Sequence, residues 1–231
     1  MDTIVLIPGY MCDQSMWSNQ LDILKKKYKV IIPQLNIGDS IEKFKNNTLK
    51  LLPEKFSVIG FSMGGFVALK MAIEERERVK DLVLIGTNAR SVSKDRRLLL
   101  NKSISELNSK NFVTKFSSSS FHSYFAKHNT TNHKYLNLIT EMTKNLGLDC
   151  LEKQTKAILE RPLLVNLLSN IKARCLIISG ELDNLSTKEM NEELANNIIK
   201  SELHYIKNSG HFVMLEEKEK FNKLILNWLI N

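Results

Sequence analysis

Phe56-Ser57-Val58-Ile59-Gly60-Phe61-Ser62-Met63-Gly64-Gly65 joins an apolar run to a segment of helical period carried by Phe66, Leu69, Ala72 and Ile73. The run reads as a β-strand and the segment as a helix, so Gly60-x-Ser62-x-Gly64 falls at a strand-to-helix turn. Such a turn is strained, and it projects the Ser62 Oγ above the sheet edge. Gly60 and Gly64 lack the Cβ atoms that would collide where strand and helix pack around it. The helix N-terminus also aims the Met63 N–H at an anion forming beside Ser62.

Outward from this turn, short apolar runs alternate with helical patterns. Ile4–Ile7, Lys29–Ile32, Phe56–Ile59, Leu82–Ile85, Cys175–Ser179 and Leu203–Ile206 have the near-continuous apolar character of parallel strands buried on both faces. Helical spacing runs through about Gln14–Lys27, Ile41–Leu51, Gly64–Glu75, Thr187–Asn197 and Glu217–Leu229. The alternation predicts an α/β fold: a mainly parallel sheet of about six strands flanked by helices, with right-handed crossovers. Residues 91–170 break the rhythm and contain no convincing strand. Leu98–Leu107, Tyr135–Leu146 and Cys150–Ile158 have helical spacing, separated by the Ser117–Ser120 cluster and the polar stretch Lys127–His133. An unstructured loop of that length does not suit a compact domain, so a helical insertion is expected. The expected organisation is a core of residues 1–90 and 171–231 with the insertion between them.

Composition narrows the class. The 231 residues are 43% hydrophobic and 25% charged, which excludes disordered, collagenous and coiled-coil chains. No apolar run approaches the ~18–20 residues of a membrane span, and the N-terminus reads as a first strand, not a signal peptide. Cys12, Cys150 and Cys175 are odd in number and far apart, which fits a reducing, cytoplasmic setting. The net charge of +8 is spread out, with Lys25–Lys27 the only run of three basic residues. No aromatic–basic alternation marks a nucleic-acid surface. The basic balance does suit an acidic substrate or an acidic carrier protein.

A serine hydroxyl needs a base to become a nucleophile, and the base needs an orienting acid. His211, in Asn208-Ser209-Gly210-His211-Phe212, follows the last strand pattern and lies at the same carboxyl rim of the sheet as Ser62. His204 falls within a strand, and the spacing of His122, His128 and His133 matches no helical metal site. For the acid, Gly180-Glu181-Leu182-Asp183 closes a strand at that rim and offers two carboxylates, or an Asp that caps the next helix. A second oxyanion donor is expected from Ile7-Pro8-Gly9-Tyr10-Met11, where Gly9 permits close approach and the Tyr10 N–H is the candidate. Phe61 and Met63 suggest an apolar pocket beside Ser62.

With these motifs in order, the sequence resembles the α/β-hydrolase superfamily, nearly end to end. It is similar to the small bacterial esterases and lactonases around 3-oxoadipate enol-lactonase and pimeloyl-carrier-protein methyl esterase. Arg161-Pro162 before Cys175–Asp183, and Pro8-Gly9-x-x-Cys12-Asp13 before Met16-Trp17, carry that closer likeness. Pro8 stands where the family usually has His, and Cys175 where a proline is common. The resemblance favours Asp183 over Glu181 and implies a Ser62–Asp183–His211 triad, with Tyr10 and Met63 as oxyanion donors. It further implies that residues 91–170 are a helical cap that sets substrate choice, and that the chain begins at the third strand of the full eight-stranded sheet. The implied activity is that of a serine carboxylic ester hydrolase (carboxylesterase-like, EC 3.1.1) without metal or organic cofactor. Thioesterase, lactonase or C–C bond hydrolase chemistry on the same triad, acyl transfer, and a ligand receptor of this fold with little turnover are the alternatives. Expected partners are a small-molecule ester, including an acyl-carrier-protein-linked one, with no nucleic acid, no membrane, and a monomer or homodimer as assembly.

Overall fold

The structure is a computed structural model that describes residues 1–230, the Ser103 side chain excepted. Six strands, β1 (Thr3–Ile7), β2 (Lys29–Ile31), β3 (Phe56–Phe61), β4 (Val79–Ile85), β5 (Arg174–Gly180) and β6 (Ser201–Ile206), form one sheet. Their order is β2-β1-β3-β4-β5-β6, and every neighbouring pair is parallel. All carboxyl ends therefore face one rim. The chain order passes through the middle of the sheet and is wound outward in both directions, so both faces must be covered.

That double burial is written into the strands. Val5, Val58, Leu84 and Ile177 point into one core with Phe44, Phe66 and Leu194 from α2 (Ile41–Leu49), α3 (Met63–Glu74) and α7 (Lys188–Asn197). Their neighbours Ile4, Ile59, Val83 and Leu176 point into the other, against Leu24 of α1 (Ser18–Leu24). Phe221, Ile225 and Trp228 of α9 (Lys218–Ile230) fill the same side, and the short α8 (Val213–Glu216) precedes α9. Residues 14–17, expected as part of the first helix, form a 3-10 turn instead, and α1 ends at Leu24 because Lys25–Lys27 are exposed and offer no face to bury. Among the described residues no helix is long and apolar enough to cross a membrane.

The crossover from β4 to β5 carries α4 (Lys94–Ser105), α5 (Phe112–Tyr124) and α6 (His133–Leu159). Ser93 and Asn132 cap α4 and α6 through their side chains. Gly147 (φ 78°, ψ 171°) breaks α6 between the two helical patterns visible in the sequence. The serine cluster, expected to separate helices, lies inside α5. Serine disfavours a helix only weakly, by about half a kcal/mol per residue, whereas burial of Phe112, Phe116 and Phe121 favours α5 strongly. Ser117 and Ser120 are buried with them, their small side chains allowing close packing on α6.

Two stability predictions follow from this packing. Ser117 is buried, and among the described residues its hydroxyl has no hydrogen-bond partner. Ser117→Ala is expected to stabilise the protein by about 1 kcal/mol, raising the thermal midpoint by about 2–4 °C. Leu84→Ala, in a fully buried strand position, is expected to cost about 2–5 kcal/mol. Calorimetric or chemical denaturation of the variants checks both signs.

Candidate active site

The carboxyl rim gathers the residues singled out by sequence. Ser62 joins β3 to α3 with φ 51° and ψ −115°, a conformation that a non-glycine residue adopts only under constraint. The constraint is visible: the Ser62 N–H donates to Ile85 O at 2.8 Å, and its carbonyl accepts from Thr87 Oγ1 at 2.8 Å and from the Phe66 N–H at 3.1 Å. The two glycines act as expected. A Cβ at Gly60 would lie 2.5 Å from the Gly64 carbonyl oxygen, and one at Gly64 only 2.3 Å from that of Ile7.

Ser62 Oγ lies 3.0 Å from His211 Nε2, and His211 Nδ1 lies 2.8 Å from Asp183 Oδ2. The histidine is 3% exposed and the Asp183 side chain 0%, whereas Ser62 is reachable. The Asp183 Oδ1 accepts the N–H groups of Leu185 and Ser186 at 2.8 and 3.0 Å, so its two oxygens separate the roles of turn-holder and histidine partner. Glu181, the local competitor, is exposed. His204 sits half-exposed on the edge strand, and His122 bonds back to Ser118 O on α5. Cys12, Cys150 and Cys175 are free and buried, and burial pushes the Cys150 thiol up to about 11. Among the described residues no group of three His, Cys, Asp or Glu side chains is placed to hold a metal ion.

Tyr10 and Met63 border the same cavity as Ser62 and His211, a space of about 120 Å³. Among the described residues neither backbone N–H has a hydrogen-bond partner, whereas the next one along, Met11 N–H, is consumed by Gln154 Oε1 at 2.7 Å. Met11 itself has φ 52°, which turns the loop at that point. The Tyr10 hydroxyl is tied to Thr155 Oγ1 at 2.5 Å, and burial raises the phenol to about 12. Met63 lines the cavity as expected, but Phe61 does not: it is buried behind His211, ring centroids 4.8 Å apart. The cavity wall is accordingly mixed, with Thr87, Asn88, Arg96 and Arg161 beside Tyr124 and Leu185. A second space of about 280 Å³ continues from it past Tyr10, Leu100 and Tyr124.

Sequence reading missed several supporting residues. Gly86 has φ 51°, and a Cβ there would stand 3.0 Å from His211 Nδ1 and 3.3 Å from Asp183 Oδ2. Glu216 accepts the Gly210 N–H at 2.7 Å together with Ala126 N–H and Asn129 Nδ2, both at 2.8 Å. It thereby ties the histidine loop to the chain beyond α5, where Tyr124 O also accepts the His211 N–H at 2.8 Å. No local pattern marks Glu216, since Ala126 and Asn129 are remote in the chain. Gln154 did leave a signal, as an amide on the apolar stripe Leu151, Gln154, Ile158 of α6.

A sequence model described as the alpha/beta hydrolase fold matches residues 2–218. Over 95 residues the chain is 38% identical to a pimeloyl-[acyl-carrier protein] methyl ester esterase of Legionella pneumophila (strain Corby), covering 39% of this chain and 40% of that protein. The chain thus aligns with only about two fifths of that relative. A 2-hydroxy-6-oxononadienedioate/2-hydroxy-6-oxononatrienedioate hydrolase of Escherichia coli O81 (strain ED1a) is 25% identical over 99% of this chain and 87% of its own. Among solved structures, a thermophilic esterase from Thermogutta terrifontis has a TM-score of 0.89 at 24% identity, covering 99% of this chain and 89% of that one. The enol-lactonase from Burkholderia xenovorans LB400 has a TM-score of 0.87 at 21% identity, covering 100% and 92%. At those identities the two structures establish the fold alone. Matched by the family's sequence model over nearly its whole length and built on the same sheet, the chain belongs to the alpha/beta hydrolase family.

Proposed function

We propose that the chain is a serine hydrolase that cleaves carboxylic esters through an acyl-enzyme on Ser62. The observation that carries this reading is the continuous hydrogen-bonded line from Ser62 Oγ through His211 to the buried Asp183 carboxylate. His211 Nε2 takes the hydroxyl proton as Oγ bonds to the ester carbonyl carbon, whose π electrons move onto oxygen. The Tyr10 and Met63 N–H groups stabilise that oxyanion, each such donor being worth ~10²–10³ in rate. Collapse breaks the bond to the alkoxy group, which takes the proton from His211 and leaves as the alcohol. Water then gives a proton to His211 and adds to the acyl carbon, and Ser62 leaves with that proton as the acid forms. Asp183 accepts the Nδ1–H throughout, fixing the tautomer and stabilising the imidazolium.

Residues 91–170 serve in this reading as a cap over a core of residues 1–90 and 171–231. The placement of Tyr124 and Leu100 from that segment in the cavity walls supports the assignment. Three free buried thiols fit a reducing, cytoplasmic setting. The named esterase relative and the net charge of +8 favour a small ester or a carrier-protein-linked acyl ester as substrate. A second reading, cleavage of a carbon–carbon bond next to a carbonyl, is favoured by the end-to-end alignment with the dienedioate hydrolase. It uses the same nucleophile.

Hydrolysis of p-nitrophenyl esters of increasing chain length tests the proposal. Ser62→Ala is expected to lose at least about 10³ in kcat, and Asp183→Asn about 10³–10⁴ by freeing the wrong tautomer. Equal rates in wild type and Ser62→Ala, or none in either, would contradict an esterase. Gln154→Met, close in volume, leaves the Met11 N–H unpaired and loosens the Tyr10 turn. It should lower kcat about 10–100-fold with little change in KM. An effect confined to KM would contradict the oxyanion role given to Tyr10.

A further inference from the structure

Arg161 follows the end of α6 and enters the wall of the cavity that holds Ser62 and His211. Its guanidinium lies over the Phe66 ring, 4.9 Å from the centroid, and Nη2 donates to Asn88 Oδ1 at 3.1 Å. Among the described residues that is the guanidinium's only hydrogen bond, and Nε is buried without a partner. Among the described residues no carboxylate pairs with it, whereas Arg78 is held by Glu75, Arg90 by Glu189 and Glu193, and Arg174 by Asp81. A cation largely withdrawn from water without a counter-ion is costly, and natural proteins keep one chiefly where something else supplies the charge.

A second cation makes the imbalance larger. Arg96, on α4, borders the same cavity and also forms no ion pair among the described residues. Burial, and after it the Arg96 charge, lower the Arg161 guanidinium to about 10, so it is still a cation at neutral pH. Arg96 is itself exposed, and it borders the cavity beside Tyr10 and Tyr124. Glu106 and Lys115 stand together in the adjoining larger space, and neither borders the smaller one.

We propose that Arg161, assisted by Arg96, forms a subsite for a carboxylate carried on the acyl part of the substrate. A guanidinium presents its N–H groups as a planar fork that matches a carboxylate or a phosphate. The cavity of about 120 Å³ favours the smaller, planar group at reach of Ser62. The substrate class is then the half-ester of a short dicarboxylic acid, or the lactone equivalent. This inference rests on Ser62 being the nucleophile of an esterase, but it concerns a separate part of the cavity.

The test compares methyl hydrogen glutarate with methyl 4-carbamoylbutanoate, which has the same shape without the charge. Wild type should favour the acid at least about tenfold in kcat/KM. Arg161→Met should bring that ratio to about one, and Arg161→Lys should restore part of it. Competitive inhibition of wild type by glutarate and by inorganic phosphate separates the two anions, glutarate being the stronger if the subsite is built for a carboxylate. A wild-type ratio near one with Ser62-dependent turnover of the neutral ester, or stronger inhibition by phosphate, would overturn the carboxylate subsite and leave the esterase reading standing. Absence of Ser62-dependent turnover of either ester would overturn the esterase reading instead. Calorimetric titration of glutarate into wild type and Arg161→Met would then decide the subsite, tighter binding to wild type supporting it and equal or absent binding refuting it.

Discussion

Ser62 occupies a backbone conformation that an L-residue avoids, at a cost on the order of 1–3 kcal/mol, and the surrounding fold is arranged so that it cannot relax. Strand β3 delivers the chain to the rim, and α3 starts at once. Close contacts at Gly60 and Gly64 bring helix, strand and the β1 loop together with no room for a Cβ. The neighbouring strand holds the Ser62 amide through Ile85, and Thr87 holds its carbonyl. The outcome is an exposed hydroxyl on a rigid base, beside the first N–H of a helix. Parallel topology does the rest, because β1, β4, β5 and β6 end at the same rim and each contributes one part of the site.

The helical segment between β4 and β5 takes part in building that site. Gln154 and Thr155 of α6 hold the loop that carries Tyr10, and Tyr124 O holds the His211 backbone. Glu216 closes the circuit from the core side by accepting from both Gly210 and Ala126. On the proposed mechanism a segment so connected affects the chemistry as well as access: displacing α6 would disturb the Tyr10 loop, and displacing α5 would disturb His211. Arg161 and Arg96 flank the same region, one after α6 and one on α4. The cavity walls and the Ser62–His211–Asp183 geometry are thus coupled through the same three helices.

Much of this was legible in the sequence, for identifiable reasons. Parallel strands buried on both faces give uninterrupted apolar runs, so all six were found, and their carboxyl ends pointed to Ser62, His211, Tyr10 and the Glu181/Asp183 pair, between which the family likeness chose Asp183. The serine cluster misled because local composition describes propensity, whereas α5 is held by the burial of Phe112, Phe116 and Phe121. Phe61 misled because adjacency to Ser62 says nothing about the side of the sheet to which a strand residue points. Glu216 and Gly86 were invisible because their importance lies in contacts with residues far along the chain. Arg161 was quoted only as part of a likeness, and its place in the cavity wall depends on stacking over Phe66 of α3, far away in the chain, which no spacing encodes.

The central claim is that Ser62 becomes covalently acylated. Intact-protein and peptide mass spectrometry after reaction with a slowly released aryl ester, or with an alkyl fluorophosphonate, measures this directly. The account predicts one equivalent of adduct mapped to the peptide containing Ser62, absent in Ser62→Ala and strongly slowed in a folded His211→Gln variant. Adduct on another residue, or none on a folded wild-type protein that still turns over esters, would contradict it.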